Sequence, residues 1–280
     1  MEKNIAKAWP VFILPTIIAF IISFVFPFLL GLVLSFCDFT TIVDATWNGF
    51  DNYIQAFQDP IFIHSFLFSA AFTGLTLVII NVAAFALALI LTRNIPGRNA
   101  YRTIFFLPNL IGGIVLGYIW QLLINGILAN YGKTLALNQM YGFYGLVVMV
   151  CWQQIGYMMV IYISAIQAVS TDQIEAAKID GANTTQIIFR IILPNCSASI
   201  TVGTFLTLTN GFKLFDQNLS LTAGQPARMS EMLALNIYNT FYGRTGFEGV
   251  GQAKAVLFTI LVSALALAQL YFSNKKEVEA

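Results

Sequence analysis

Charge is what this chain has least of. Asp, Glu, Lys and Arg make up 10% of its 280 residues, where soluble domains carry about 25%. The net charge is +1, and no basic patch suggests a nucleic-acid partner. Cysteine is sparse: Cys37, Cys151 and Cys196 lie far apart without CxxC spacing. They give no disulfide framework and no metal signature, and read as packed thiols. The one histidine, His64, cannot by itself build a metal site or a catalytic triad, and reads as a satisfied residue at a span end. No nucleophile–base pair or metal set supports a membrane-embedded enzyme. The glycines from Gly126 to Gly132, followed by Lys133, have five spacer residues where a phosphate loop has four, and they follow an apolar run rather than a strand. The chain therefore carries no nucleotide site of its own.

What it has is apolar sequence. Hydrophobic residues reach 58% and mean hydropathy is +0.76, which predicts a polytopic all-α membrane protein. A span needs roughly 20 apolar residues. Six runs qualify: Val11–Phe36, Phe66–Leu91, Ile104–Ile124, Phe143–Val169, Asn195–Phe212 and Ala255–Phe272. The first is too long for a signal-peptide core and reads as a signal anchor. The fifth is the shortest and most polar. The interiors of all six contain no Asp, Glu, Lys, Arg or His, the residues that mark proton or ion coupling, so a secondary carrier is poorly supported. Basic residues cluster at Lys3 and Lys7, in the connector with Arg93, Arg98 and Arg102, and at Lys275 and Lys276; Cys37–Ile63 holds four aspartates and no base. The positive-inside rule then places both termini and the Glu175 loop in the cytoplasm.

Within the third run, Gly113 and Gly117 form a GxxxG step for close helix packing. Pro15, Pro27, Pro108 and Pro194 are expected to bend or break helices. The stretch Asp216–Gln252 reads as the longest outer loop, with LTAGQP (Leu221–Pro226), an aromatic run (Asn236–Gly243), and Gly246, Gly249 and Gly251. These are either turn glycines and interface aromatics or a platform for an external partner.

Between the fourth and fifth runs lies EAAKIDGANTTQIIFRIILP, Glu175–Pro194. Asp172 and Glu175 have the spacing of an N-cap and its N3 carboxylate, predicting a helix from about Gln173. Gly181 is placed to end it, and Asn183 or Thr184 to cap a second short helix toward Arg190. Glu175, Ala176, Ala177, Gly181, Ile191, Leu193 and Pro194 match, without a gap, the EAA loop of the membrane subunits of binding-protein-dependent ABC importers. Seven fixed identities arise by chance in such a chain on the order of one time in a million.

The resemblance extends over nearly the whole chain and is nearest to sugar permeases of the maltose-transporter type. The stretches that carry it are EAAKIDGA (Glu175–Ala182), RTIFFLP (Arg102–Pro108), GYIW (Gly117–Trp120), NGFKLFD (Asn210–Asp216), LTAGQP and GQAKAVLF (Gly251–Phe258). Two departures stand out: Gln225 where the family usually has a second glycine, and Ser197–Ser199 where a second proline is usual. The resemblance implies six transmembrane helices, with a five-helix permease core in spans 2–6 and an extra N-terminal span. It divides the chain into residues 1–62 (tail, first span, outer loop) and 63–280 (core with the coupling loop at 170–194). It implies a multi-pass subunit of a prokaryotic plasma membrane that moves sugar by alternating access. Its implied partners are a sister permease (a heterodimer is expected), two ATP-binding subunits carrying the ATP and magnesium, and an extracytoplasmic sugar-binding protein. Coupling contacts would fall on Glu175, Ala176, Ala177, Asp180 and Gly181. Sugar contacts would fall on Trp152, Gln153, Gln154 and Tyr157 in span four and on Thr204, Thr207 and Asn210 in span five. The alternative substrates are a polyol or glycerol phosphate.

Overall fold

The computed structural model describes residues 13–278, with side chains through Tyr271. Lys3 and Lys7, and the side chains of Lys275 and Lys276, lie outside the described residues. The architecture is helical except for a two-residue antiparallel ribbon, β1 (Cys37–Asp38) with β2 (Thr46–Trp47), in which Cys37 pairs with Trp47. Among the described residues, four continuous helices are long and apolar enough to span a bilayer: α1 (Ile13–Leu34), α3 (Pro60–Leu91), α6 (Gln139–Ala168) and α12 (Glu248–Val278). Two further apolar stretches are bent pairs. In one, α4 (Arg98–Phe106) continues as a 3-10 turn to Leu110 and turns 98° into α5 (Gly113–Ala129). In the other, α8 (Thr184–Asn195, including a π turn at Ile188–Ile192) turns 72° into α9 (Ser197–Phe212). The shorter helices are α2 (Asp51–Gln58), α7 (Thr171–Ile179), α10 (Asp216–Leu221) and α11 (Leu233–Gly243).

Prolines sit at both bends. Pro108 opens the 3-10 turn, and Ile111 and Gly112 then take extended ψ values of 126° and 140°. Pro194 lacks a donor and crowds the carbonyl four residues back; the π turn directly precedes it, and Cys196 leaves helical geometry at φ −92°, ψ 5°. Such breaks survive in apolar sequence where neighbouring protein re-satisfies the backbone.

Backbone contacts divide the chain into two compact units. One comprises the segment ending at Pro60 together with Ile237–Thr259. Here Asn52 donates to the Ser35 and Cys37 carbonyls at 3.1 and 2.8 Å, and Gly249 packs so tightly on Asn52 that a Cβ would lie 2.7 Å from its amide nitrogen. The Asp44 carboxylate accepts from the Thr40 and Thr41 N–H groups, and chiefly the Thr41 backbone bond holds its pKa below the usual value. Lys254, two turns into α12, is fully buried and donates to Asp59 Oδ2 at 2.6 Å and to Thr240 Oγ1 at 2.9 Å.

The other unit, Ile61–Asn236 with the segment from Ile260, holds the larger core. That core centres on α6 (Leu146, Met149, Val150, Met158, Met159, Tyr162) with Phe68, Phe72, Ile80, Ala84 and Ala88 of α3. Gly113 and Gly117 pack against α10: a Cβ on Gly113 would lie 2.8 Å from Asp216 Cβ, and one on Gly117 would strike Ser220. The GxxxG step therefore works as the sequence predicts. The span interiors differ in one respect. Because α12 starts at Glu248, Gly249 and Gly251 are helical rather than turn glycines, and Lys254 lies inside the helix. The run Asp216–Gln252 is mostly helix rather than an extended loop.

Candidate coupling loop and translocation path

The segment after α6 folds as a helix–turn–helix. Ser170, not Asp172, is the N-cap of α7: its side chain accepts from the Asp172 N–H, so the helix starts at Thr171, two residues ahead of expectation. Asp172 instead adds negative charge to the first turn, and Lys178 adds positive charge to the last; both favour the helix dipole. The C-terminus closes in a Schellman motif. Gly181 N–H donates to the Lys178 carbonyl (3.1 Å) and Ala182 N–H to the Ala177 carbonyl (2.9 Å), with Gly181 at φ +83°. No atom lies within 4 Å of where a Gly181 Cβ would sit. Glycine is thus required here by backbone geometry, not by a close approach within this chain. Asn183 and Gln186 then form a reciprocal capping box at 2.9 and 2.8 Å, starting α8.

The result presents Glu175, Ala176, Asp180 and Gly181 to solvent, with Ala177 and Ala182 turned partly toward the core. Ile179 projects from this polar knob, 86% exposed. A cavity of about 450 Å³ lies between the arms, lined by Gln173, Ala176, Ala177, Asp180, Arg190 and Asn195. Asn195 donates to Gln173 (3.5 Å) and to the Ile191 carbonyl (2.8 Å), bracing the arms.

Of the seven path residues, Gln153, Thr204 and Thr207 join their helices to others through side-chain hydrogen bonds. Gln153 of α6 donates to the Ile111 carbonyl at the α4–α5 bend (3.2 Å) and accepts from Gln217 of α10 (3.0 Å). Beside it, Trp152 is 46% exposed and lies 5.7 Å from Trp120 of α5, at an angle of 59°. Gln154 Oε1 is buried without a hydrogen bond among the described residues, and Tyr157 is half-buried against the core. On α9, Thr204 accepts from Gln269 of α12 (3.0 Å), Thr207 accepts from Asn81 of α3 (3.2 Å), and Asn210 is exposed.

Sequence reasoning missed Asn81 and Tyr162, whose hydrogen bond joins α3 to α6. Asn81 is the one amide side chain in the run Phe66–Leu91, which is the signal that singles it out. It also missed Asn218 of α10, which donates to the Ser230 carbonyl (2.8 Å) and Thr222 (3.0 Å) and accepts from the Met232 N–H (2.9 Å). That residue fixes the LTAGQP turn, where Gly224 has φ +81°. His64 meets the Met229 carbonyl at 2.8 Å, a satisfied residue as expected. All three cysteines are free and buried.

Long apolar helices, two bent pairs and an exposed capped loop make up a helical membrane protein. The family model for "binding-protein-dependent transport system inner membrane component" matches residues 80–277, and the chain belongs to that family. A probable starch degradation products transport system permease of Thermoanaerobacterium thermosulfurigenes is 42% identical, covering 99% of this chain and 97% of that protein. A multiple sugar-binding transport system permease of Streptococcus mutans is 27% identical over 99% of each. An sn-glycerol-3-phosphate transport system permease of Brucella abortus is 26% identical over 96% of each. The fold matches a chain of a crystallised bacterial ABC transporter for the acidic polysaccharide alginate, with TM-score 0.83, 23% identity and 98% coverage of both chains. A second structure of the alginate transporter, in complex with a pentasaccharide-bound periplasmic protein, matches with TM-score 0.76.

Proposed function

We propose that this chain is the permease subunit of an ATP-driven importer of neutral oligosaccharides, of the kind released from starch. The carrying observation is the 42% identity, over almost the full length of both chains, to a permease for starch degradation products. The residues agree with a neutral cargo. Helices α5, α6 and α9 contain no charged side chain, while amides, hydroxyls and the Trp120–Trp152 pair supply the hydrogen bonds and apolar ring faces that sugars need. A phosphorylated substrate would want basic groups along its path.

In this reading the chain sits in the plasma membrane with both termini cytoplasmic, beside a sister permease. Two ATP-binding subunits hold ATP and magnesium and receive the knob of Glu175, Ala176, Ala177, Asp180 and Gly181. An extracytoplasmic binding protein delivers the sugar. ATP-driven closure of the ATPases pushes the knob, and α8, which continues from it, carries the push to α9. Trp152, Gln153, Gln154, Tyr157, Thr204, Thr207 and Asn210 are the candidate cargo contacts. Uptake of labelled maltotriose by cells deleted for the chain tests the assignment. Loss of uptake, restored by the cloned chain, is the expected result; normal maltotriose uptake with loss of glycerol phosphate uptake overturns it in favour of the phosphorylated substrate.

A further inference from the structure

Three helices meet at a chain of hydrogen bonds that lies outside the coupling knob and shares only Thr207 with the candidate cargo contacts. The Tyr162 hydroxyl on α6 donates to Asn81 Oδ1 on α3. Asn81 Nδ2 donates to Thr207 Oγ1 on α9 at 3.2 Å and to the Leu77 carbonyl at 2.7 Å. Thr207 in turn donates to the Gly203 carbonyl at 2.7 Å. Tyr162 and Thr207 are each 1% exposed. A Cβ on Gly203 would strike the Tyr162 phenol, so α9 meets α6 at a position where only glycine fits. The Thr207 hydroxyl both donates and accepts within the protein.

Asn81 and Tyr162 also border an apolar groove of about 370 Å³. Asn81, Phe85 and Tyr162 line one side; Ile188, Phe189 and Leu193 of α8 line another. That second wall continues directly from the coupling knob through the Asn183 cap. Breaking any link of the relay strands a buried polar group away from water, so the relay resists separation. The groove is apolar and lies beside the π turn at Ile188–Ile192, on the side of α8 that faces α3 and α6.

We infer that Asn81, Tyr162 and Thr207 are positioning residues for transport: they pin α9 to α3 and α6 and make that junction the pivot about which α8 moves into the groove. The inference rests on the importer reading, since the push must come from an ATPase on the knob. The test uses the whole complex in proteoliposomes, comparing the parent with Tyr162→Phe, which deletes one hydroxyl and keeps the ring against Phe85. Uptake per ATP hydrolysed should fall about tenfold in the variant while ATP turnover stays within about twofold. A cysteine pair introduced as Ala86→Cys and Leu193→Cys on opposite walls, with the three native cysteines replaced by alanine, reads the groove without any sugar. Its crosslinking should depend on nucleotide in the parent and lose that dependence with Tyr162→Phe. A variant whose uptake and ATP turnover fall in equal proportion overturns the pivot. So does a raised sugar KM at unchanged maximal rate, which would put the relay on the cargo. A parent complex that transports no oligosaccharide yet shows the nucleotide-dependent crosslink, lost with Tyr162→Phe, overturns the sugar assignment and supports the pivot.

Discussion

Replacing Lys254 by methionine should unfold this protein at a markedly lower temperature. Lys254 has no solvent-accessible surface, and its ammonium lies 2.6 Å from Asp59, whose side chain is 17% exposed, and 2.9 Å from the Thr240 hydroxyl. Methionine preserves the volume and removes the charge, so the cost is that of taking the ammonium away from the Asp59 carboxylate and the Thr240 hydroxyl. Removing one member of a buried pair costs about 3–5 kcal/mol. Asp59 retains some access to water, which points to the lower end, about 3 kcal/mol. At about 2–4 °C per kcal/mol for chains of this order of size, the midpoint should drop by roughly 6–12 °C. The assay is the fraction of detergent-solubilised protein that stays monodisperse after heating, for Lys254→Met, Asp59→Asn and the double variant. The double should be less damaging than the sum of the singles, because each single leaves a lone charge and the double leaves none. A shift of the Lys254→Met midpoint under about 1 °C, or additive singles, would refute the reasoning.

Asn218→Ala should lose about 3 kcal/mol, because three hydrogen bonds end on one fully buried side chain and their partners cannot reach water; the same thermal assay checks it. Gly156→Ala should leave little folded protein in the membrane: its Cβ would strike the Phe105 carbonyl of α4, and a backbone obstacle cannot rotate away. Expression near the parent level would contradict that packing. Gly181→Asp should cost only about 1–2 kcal/mol of folding stability, through its φ of +83° in open space. It should nevertheless abolish uptake while the complex still hydrolyses ATP; normal uptake would remove Gly181 from the coupling contact.

The apolar runs announce where chain crosses the bilayer, but not where it turns inside. The bends at Ile111–Gly112 and Cys196 lie in or beside runs that read as single spans, since proline and glycine are tolerated in membrane helices and leave hydropathy unchanged. The last helix was legible only from Ala255. Its first turns, Glu248 to Lys254, are polar enough to pass for loop, and burial of Lys254 depends on Asp59, distant in sequence. The knob was read almost to the residue because capping chemistry is local. Even there, Ser170 and Asp172 were both competent caps, and the extended backbone at Ser170 decided between them. Asn81, Tyr162 and Thr207 come together only through tertiary packing. No pattern within one helix pairs an amide on α3 with a phenol on α6.

Whether the knob meets an ATPase can be read by purifying the tagged chain from its native membranes and identifying the bound proteins by mass spectrometry. A second permease and an ATP-binding subunit should co-purify, the ATP-binding subunit captured by a crosslinker placed through Ile179→Cys. A chain recovered alone, with no ATP-binding protein crosslinked at that position, would contradict that contact.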